Sequence, residues 1–186
     1  MSKLTSSSIV NHVFFLIISL IGIFFYAIGV FCKLAVYEKA TGDWPSWMFF
    51  LGNIATFLSV YVVLSVIHEY SHAFVGMRFN VNSKVSFISK LGFKPYCKFD
   101  SRIKIKKHEF IKIALAPFFV ITGIFVITFI LFYFLLPWYY EFFVIGMFLV
   151  KVAGCSGDLK LCMDARKLPS DKKMVQSEDT GEFLVV

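Results

Sequence analysis

Charge is what this sequence has least of: only 17% of its 186 residues are Asp, Glu, Lys or Arg, where a soluble domain carries about 25%. That shortage argues against a chain whose main solvent is water. Acidic residues are the scarcer kind, 12 against 19 basic, and the formal net charge is +7. On one folded face such an excess would point to nucleic acid. Here the basic residues fall between and after long apolar runs, which reads as membrane topology, and no nucleic-acid partner is expected. None of the four cysteines, Cys32, Cys97, Cys155 and Cys162, forms a CxxC pair, so they are expected to be free thiols rather than a redox or zinc-knuckle motif. A cleavable leader is not expected either. The first apolar stretch, 13–32, is longer than the roughly 7–15 residues of a leader's apolar region and lacks a small-x-small cleavage site. Repeats and low-complexity segments are also missing.

What is there is apolar: 58% of residues, including 24 Phe, with a mean hydropathy of +0.75. A bilayer core is crossed by about 20 apolar residues in a helix, and such stretches recur at 13–32, 47–75, 111–136 and 138–162. The expectation is an all-α membrane protein, one domain over 1–186 with four transmembrane helices and a tail at 163–186. Between 78 and 109 there are nine basic residues against two acidic, Asp100 and Glu109. The positive-inside rule places that loop in the cytoplasm, and four spans then return both termini to the same side. Trp44, Trp47, Trp138, Tyr139 and Tyr140 would form the outer aromatic belt. Within the loop, Lys84 to Leu91 and Tyr96 to Phe99 alternate or cluster β-branched and aromatic residues around Gly92 and Pro95, as a short amphipathic β-hairpin would. A basic loop that only fixes topology is the alternative.

The second stretch carries His68-Glu69-Tyr70-Ser71-His72, an HExxH pattern. On a helix the i, i+4 histidines share a face, so both imidazoles can grip one zinc ion while the neighbouring carboxylate takes a proton from water. Ionisable groups inside an apolar span cost at least about 2.5–3.5 kcal/mol each on insertion scales, and a metal is the group that offsets this. Histidines hydrogen-bonded inside a helix bundle, with Glu69 as an ion-pair partner, are the plainer reading. A catalytic zinc needs a third protein ligand. Counted from Trp47, His68 lies 21 residues in and His72 25; counted from Trp138, Asp158 lies 20 in. At about 1.5 Å per residue all three reach similar depth, which makes Asp158 the candidate. Gly154 and Gly157 beside it would let the helix break or approach a neighbour closely. Asp164 points elsewhere around the helix, Cys155 is a weaker ligand candidate, and His12 and His108 border spans and are given no role.

These residues resemble the site-2-protease type of intramembrane zinc peptidase, and more closely the small bacterial membrane proteins grouped as zincin peptidases of otherwise unknown function. The resemblance runs from the second stretch to the fourth: His68-Glu69-Tyr70-Ser71-His72-Ala73, then Ala114-Leu115-Ala116-Pro117, then Ser156-Gly157-Asp158. It implies zinc (Zn2+) on His68, His72 and Asp158, with Glu69 activating water to hydrolyse a peptide bond near the cytoplasmic membrane face. The substrate would be a peptide or membrane protein and the location the bacterial cytoplasmic membrane. The rival reading is a non-catalytic metal-binding membrane protein, such as a sensor, a transporter subunit or a pseudoprotease.

Overall fold

The computed structural model describes residues 3–4, 9–89, 92–177 and 182–186. The chain is mostly helical, with α1 (Ile9–Thr41), α2 (Trp47–Arg78), α3 (Lys107–Leu135), α4 (Tyr139–Gly154) and α5 (Ser156–Arg166). Three of these, α1, α2 and α3, are long and apolar enough to cross a membrane, and α4 with α5 adds a fourth if that bent pair is one broken span. This is consistent with an integral membrane protein. Many of the residues in these helices are β-branched or aromatic, poor helix formers in water. In hydrocarbon, however, a backbone must satisfy its own hydrogen bonds, and the helix does so within one segment. Phe24, Leu51, Ile54, Leu58, Phe119 and Ile127 all stand exposed on the helix surfaces, an apolar exterior suited to lipid. The helices outrun the apolar runs at their polar ends. α1 stops where Gly42 takes φ 76°, and α2 where Asn80 takes φ 57°, left-handed positions that glycine and asparagine tolerate best.

The chain packs as two compact units. One comprises Phe15–Leu64 and Ile121–Gly154. Two of its helices meet at a pair of glycines: a Cβ on Gly146 would stand 2.7 Å from the Gly22 carbonyl oxygen, and one on Gly22 2.8 Å from that of Gly146. Small residues of this kind let helices meet backbone to backbone. The Tyr26 hydroxyl donates to the Asn53 carbonyl at 2.8 Å. Lys151, 5% exposed, holds its ammonium 5.3 Å from the centre of the Tyr61 ring, a cation–π contact.

The other unit gathers Met1–Phe14, Ser65–Val120 and Cys155–Val186. After α2 the chain forms the expected hairpin, β2 (Ser83–Ser89) antiparallel to β3 (Gly92–Phe99); Lys90 and Leu91 lie outside the described residues. Gly92 and Pro95 belong to β3, and the register shifts between Ser86 and Ile88, opposite Pro95, where a residue without an N–H cannot continue the ladder. The segment after Arg166, which reads from sequence only as a basic tail, instead holds β5 (Lys173–Gln176) and β6 (Phe183–Val185). With β1 (Lys3–Leu4) and β4 (Ile105–Lys106) they make a four-stranded antiparallel sheet in the order β1-β6-β5-β4. Its apolar face, with Leu4, Ile105, Met174, Phe183 and Val185, joins Phe110, Ile113 and Leu161 in one core. Gln176 ties this sheet to the hairpin by accepting the Phe99 N–H at 2.6 Å.

Candidate metal centre

The last turns of α2 supply His68, Glu69 and His72. Four residues apart on one helix, the two imidazoles lie on one face, with ring centres 5.0 Å apart and planes at 85°. Both are nearly closed off, 7% and 8% exposed. Asp158 enters from the first turn of α5, where the helix dipole favours a carboxylate. A Cβ on Gly154 would meet nothing within 4 Å, so of the two roles open to that glycine, close approach is not the one used; the helix break at Cys155 is.

One carboxylate oxygen, Oδ2 of Asp158, stands 3.1 Å from Nε2 of His68 and 3.6 Å from Nε2 of His72. Ligand atoms of the three residues all lie within 4.8 Å of one another. Tetrahedral ligands held about 2.0–2.2 Å from one zinc are about 3.3–3.6 Å apart; the two distances to Asp158, 3.1 and 3.6 Å, lie close to that range. The proton inventory agrees. Nδ1 of His72 is 2.9 Å from the carbonyl oxygen of Ile113; a carbonyl only accepts, so Nδ1 carries the hydrogen. Nε2 is then left to face the carboxylate, either as an N–H donor in the imidazolium or, in the neutral ring, with a lone pair that a cation held between the two groups would take up. Two imidazole nitrogens and one carboxylate oxygen are a catalytic zinc donor set.

Glu69 stays out of this group. Its Oε1 is 3.9 Å from Nε2 of His68, and its carboxylate accepts a hydrogen bond from the backbone N–H of Cys97 in β3. The residues set aside from sequence lie elsewhere: Asp164 pairs with Lys160 and Lys167, and His108 is exposed beside Glu109. Two neighbours, the Ile113 carbonyl and the Cys97 N–H, were not found by sequence reasoning; both are backbone groups, which residue types do not advertise. Cys155, weighed from sequence as a weaker ligand, is fully buried with its Sγ 3.6 Å from Nδ1 of His68, on the side of that ring away from Asp158.

Residues 61–172 match the family described as "Putative zincin peptidase". That match covers more than half of the chain. The chain belongs to this family. No curated protein and no solved structure matches it. Membership of a zincin peptidase family indicates a metallopeptidase dependent on zinc, and His68, His72 and Asp158 are a group able to hold that ion.

Proposed function

We propose that the protein is a membrane-embedded, site-2-protease-like zinc metalloprotease that hydrolyses a peptide bond near the cytoplasmic face of a bacterial membrane. The observation that carries this reading is the convergence of His68 and His72, from one turn of an apolar helix, on a single oxygen of Asp158, with Glu69 beside them and outside the donor set. A zinc ion on these three residues would polarise the scissile carbonyl and bring its water's pKa down to about 7. Glu69 accepts the proton of the attacking water and passes it to the departing amide nitrogen. The Cys97 N–H holds that carboxylate in place. His68 and His72, with Asp158, would hold the metal. Since the described residues of β2 and β3 pair as a two-stranded sheet, an extended substrate segment can add to it by strand pairing.

The test is metal content beside activity, in detergent, against a pool of quenched-fluorescent peptides. Wild type should hold about one zinc per chain. His68→Ala and His72→Ala should lose it, because each removes a ligand. Glu69→Gln should keep the metal while turnover falls about 10²–10⁴-fold, as expected for loss of a general base. A metal-free wild type after zinc exposure, or a fully active Glu69→Gln, would refute the mechanism. A Glu69→Gln protein that binds zinc as before, beside a wild type that cleaves nothing, would favour the non-catalytic binder.

A further inference from the structure

We propose that Pro117 is a positioning residue for the metal centre: by withholding a backbone N–H inside α3, it reserves the Ile113 carbonyl for His72 and so decides which imidazole nitrogen faces the metal. This rests on the reading of His72 as a ligand. In an α-helix each carbonyl accepts from the N–H four residues on. Proline has no N–H. Pro117 stands inside α3, Lys107–Leu135, so the acceptor it deprives is the carbonyl four residues back, that of Ile113. The same carbonyl lies 2.9 Å from Nδ1 of His72.

The coincidence has a chemical reading. Ile113 is 2% exposed and Pro117 is fully buried, so the carbonyl has little access to water and would otherwise be a buried acceptor without a donor, which folded chains avoid. His72 supplies the donor. Free histidine favours the tautomer with its hydrogen on Nε2, the wrong one here, because Nε2 is the atom 3.6 Å from Asp158. A carbonyl held at Nδ1 reverses that preference and leaves the Nε2 lone pair for a cation. With alanine at 117 the helix regains an N–H that competes for the same oxygen.

The experiment separates the missing N–H from the proline ring. Two variants of the full chain are compared with wild type: Pro117→Ala, and Pro117→lactic acid, whose backbone ester has neither N–H nor ring. Ring ¹⁵N shifts of His72, assigned by difference against His72→Gln, report the tautomer in metal-free protein. Competition with a chelator reports zinc affinity. Wild type should carry its hydrogen on Nδ1. Pro117→Ala, which keeps α3 helical because alanine is the best helix former, should show mixed tautomers and about 10-fold weaker zinc binding. The ester variant should match wild type on both counts. The proposal falls if Pro117→Ala keeps the wild-type tautomer and affinity, or if the ester variant fails as the alanine variant does. A wild type that binds no zinc would instead overturn the function proposed above, and the metal-free tautomers would still decide the role of Pro117.

Discussion

Asp158 and Asp164 sit six residues apart on one helix yet differ in surroundings. The first lies between two nearly closed histidines, the second between two lysines. Asp158→Asn is therefore expected to weaken zinc binding about 10-fold or more, since a neutral amide is a poor ligand. Asp164→Asn removes only surface ion pairs and should change stability by no more than about 1 kcal/mol, with zinc content intact. Equilibrium dialysis of both variants checks this, and the assignment fails if the two behave alike. Cys97 offers a pH test. Burial pushes its thiol from 9.0 up to about 12, so the folded chain keeps a proton that the unfolded chain gives up from about pH 9. Between those values the unfolded state binds fewer protons, and stability falls as pH rises. Cys97→Ala should flatten that alkaline decline in denaturant melts; an identical slope in the variant would count against it. At this scale the i, i+4 histidines are legible because their geometry is local to one helix. Asp158 is legible only through the depth of its span. The groups on the far nitrogens are not, because tertiary packing decides which carbonyl or thiol arrives there.

Helices carry the same division. Apolar length announces α1, α2 and α3, while the break between α4 and α5 is hinted at by Gly154 and Gly157 without saying which of the two glycine roles applies. Strands of four and three residues, β5 and β6, give no period to read, and their alternate burial emerges only from pairing with β4 and β1. Close helix packing is likewise hidden until partners are known, and it predicts unequal glycines. Gly146→Ala would push a methyl group against the backbone of Gly22 and Tyr26, which cannot yield as a side chain can. A loss of about 1–3 kcal/mol is expected from such overpacking, seen as a melting temperature lower by about 2–10 °C in detergent. Gly123→Ala, with nothing within 4 Å of the added atom, should leave the melting temperature unchanged or raise it, since alanine is the better helix former. Equal effects at the two positions would show that the Gly22–Gly146 contact is not tight.

For the whole molecule, composition points to lipid as the solvent and the distribution of charge proposes the sides. If the basic loop faces the cytoplasm, a cysteine at the exposed position 84 on a cysteine-free background should react with a membrane-impermeant maleimide only after the membrane is opened. Labelling of intact cells there would invert the topology and move the proposed cleavage to the other face. The unit holding the site is assembled from three separated stretches of chain, and this has a consequence for biosynthesis. Cys155 follows His68 by 87 residues, so at about 5–20 residues per second a ribosome needs roughly 4–17 s between them. Throughout that interval the nascent chain displays both histidines and Glu69 but has no Asp158 to complete the donor set. On the proposed mechanism the half-made enzyme is therefore inert while it threads through the translocation machinery, and hydrolytic competence arrives only with the last helix, when the surrounding membrane proteins are no longer held beside an unfinished active centre.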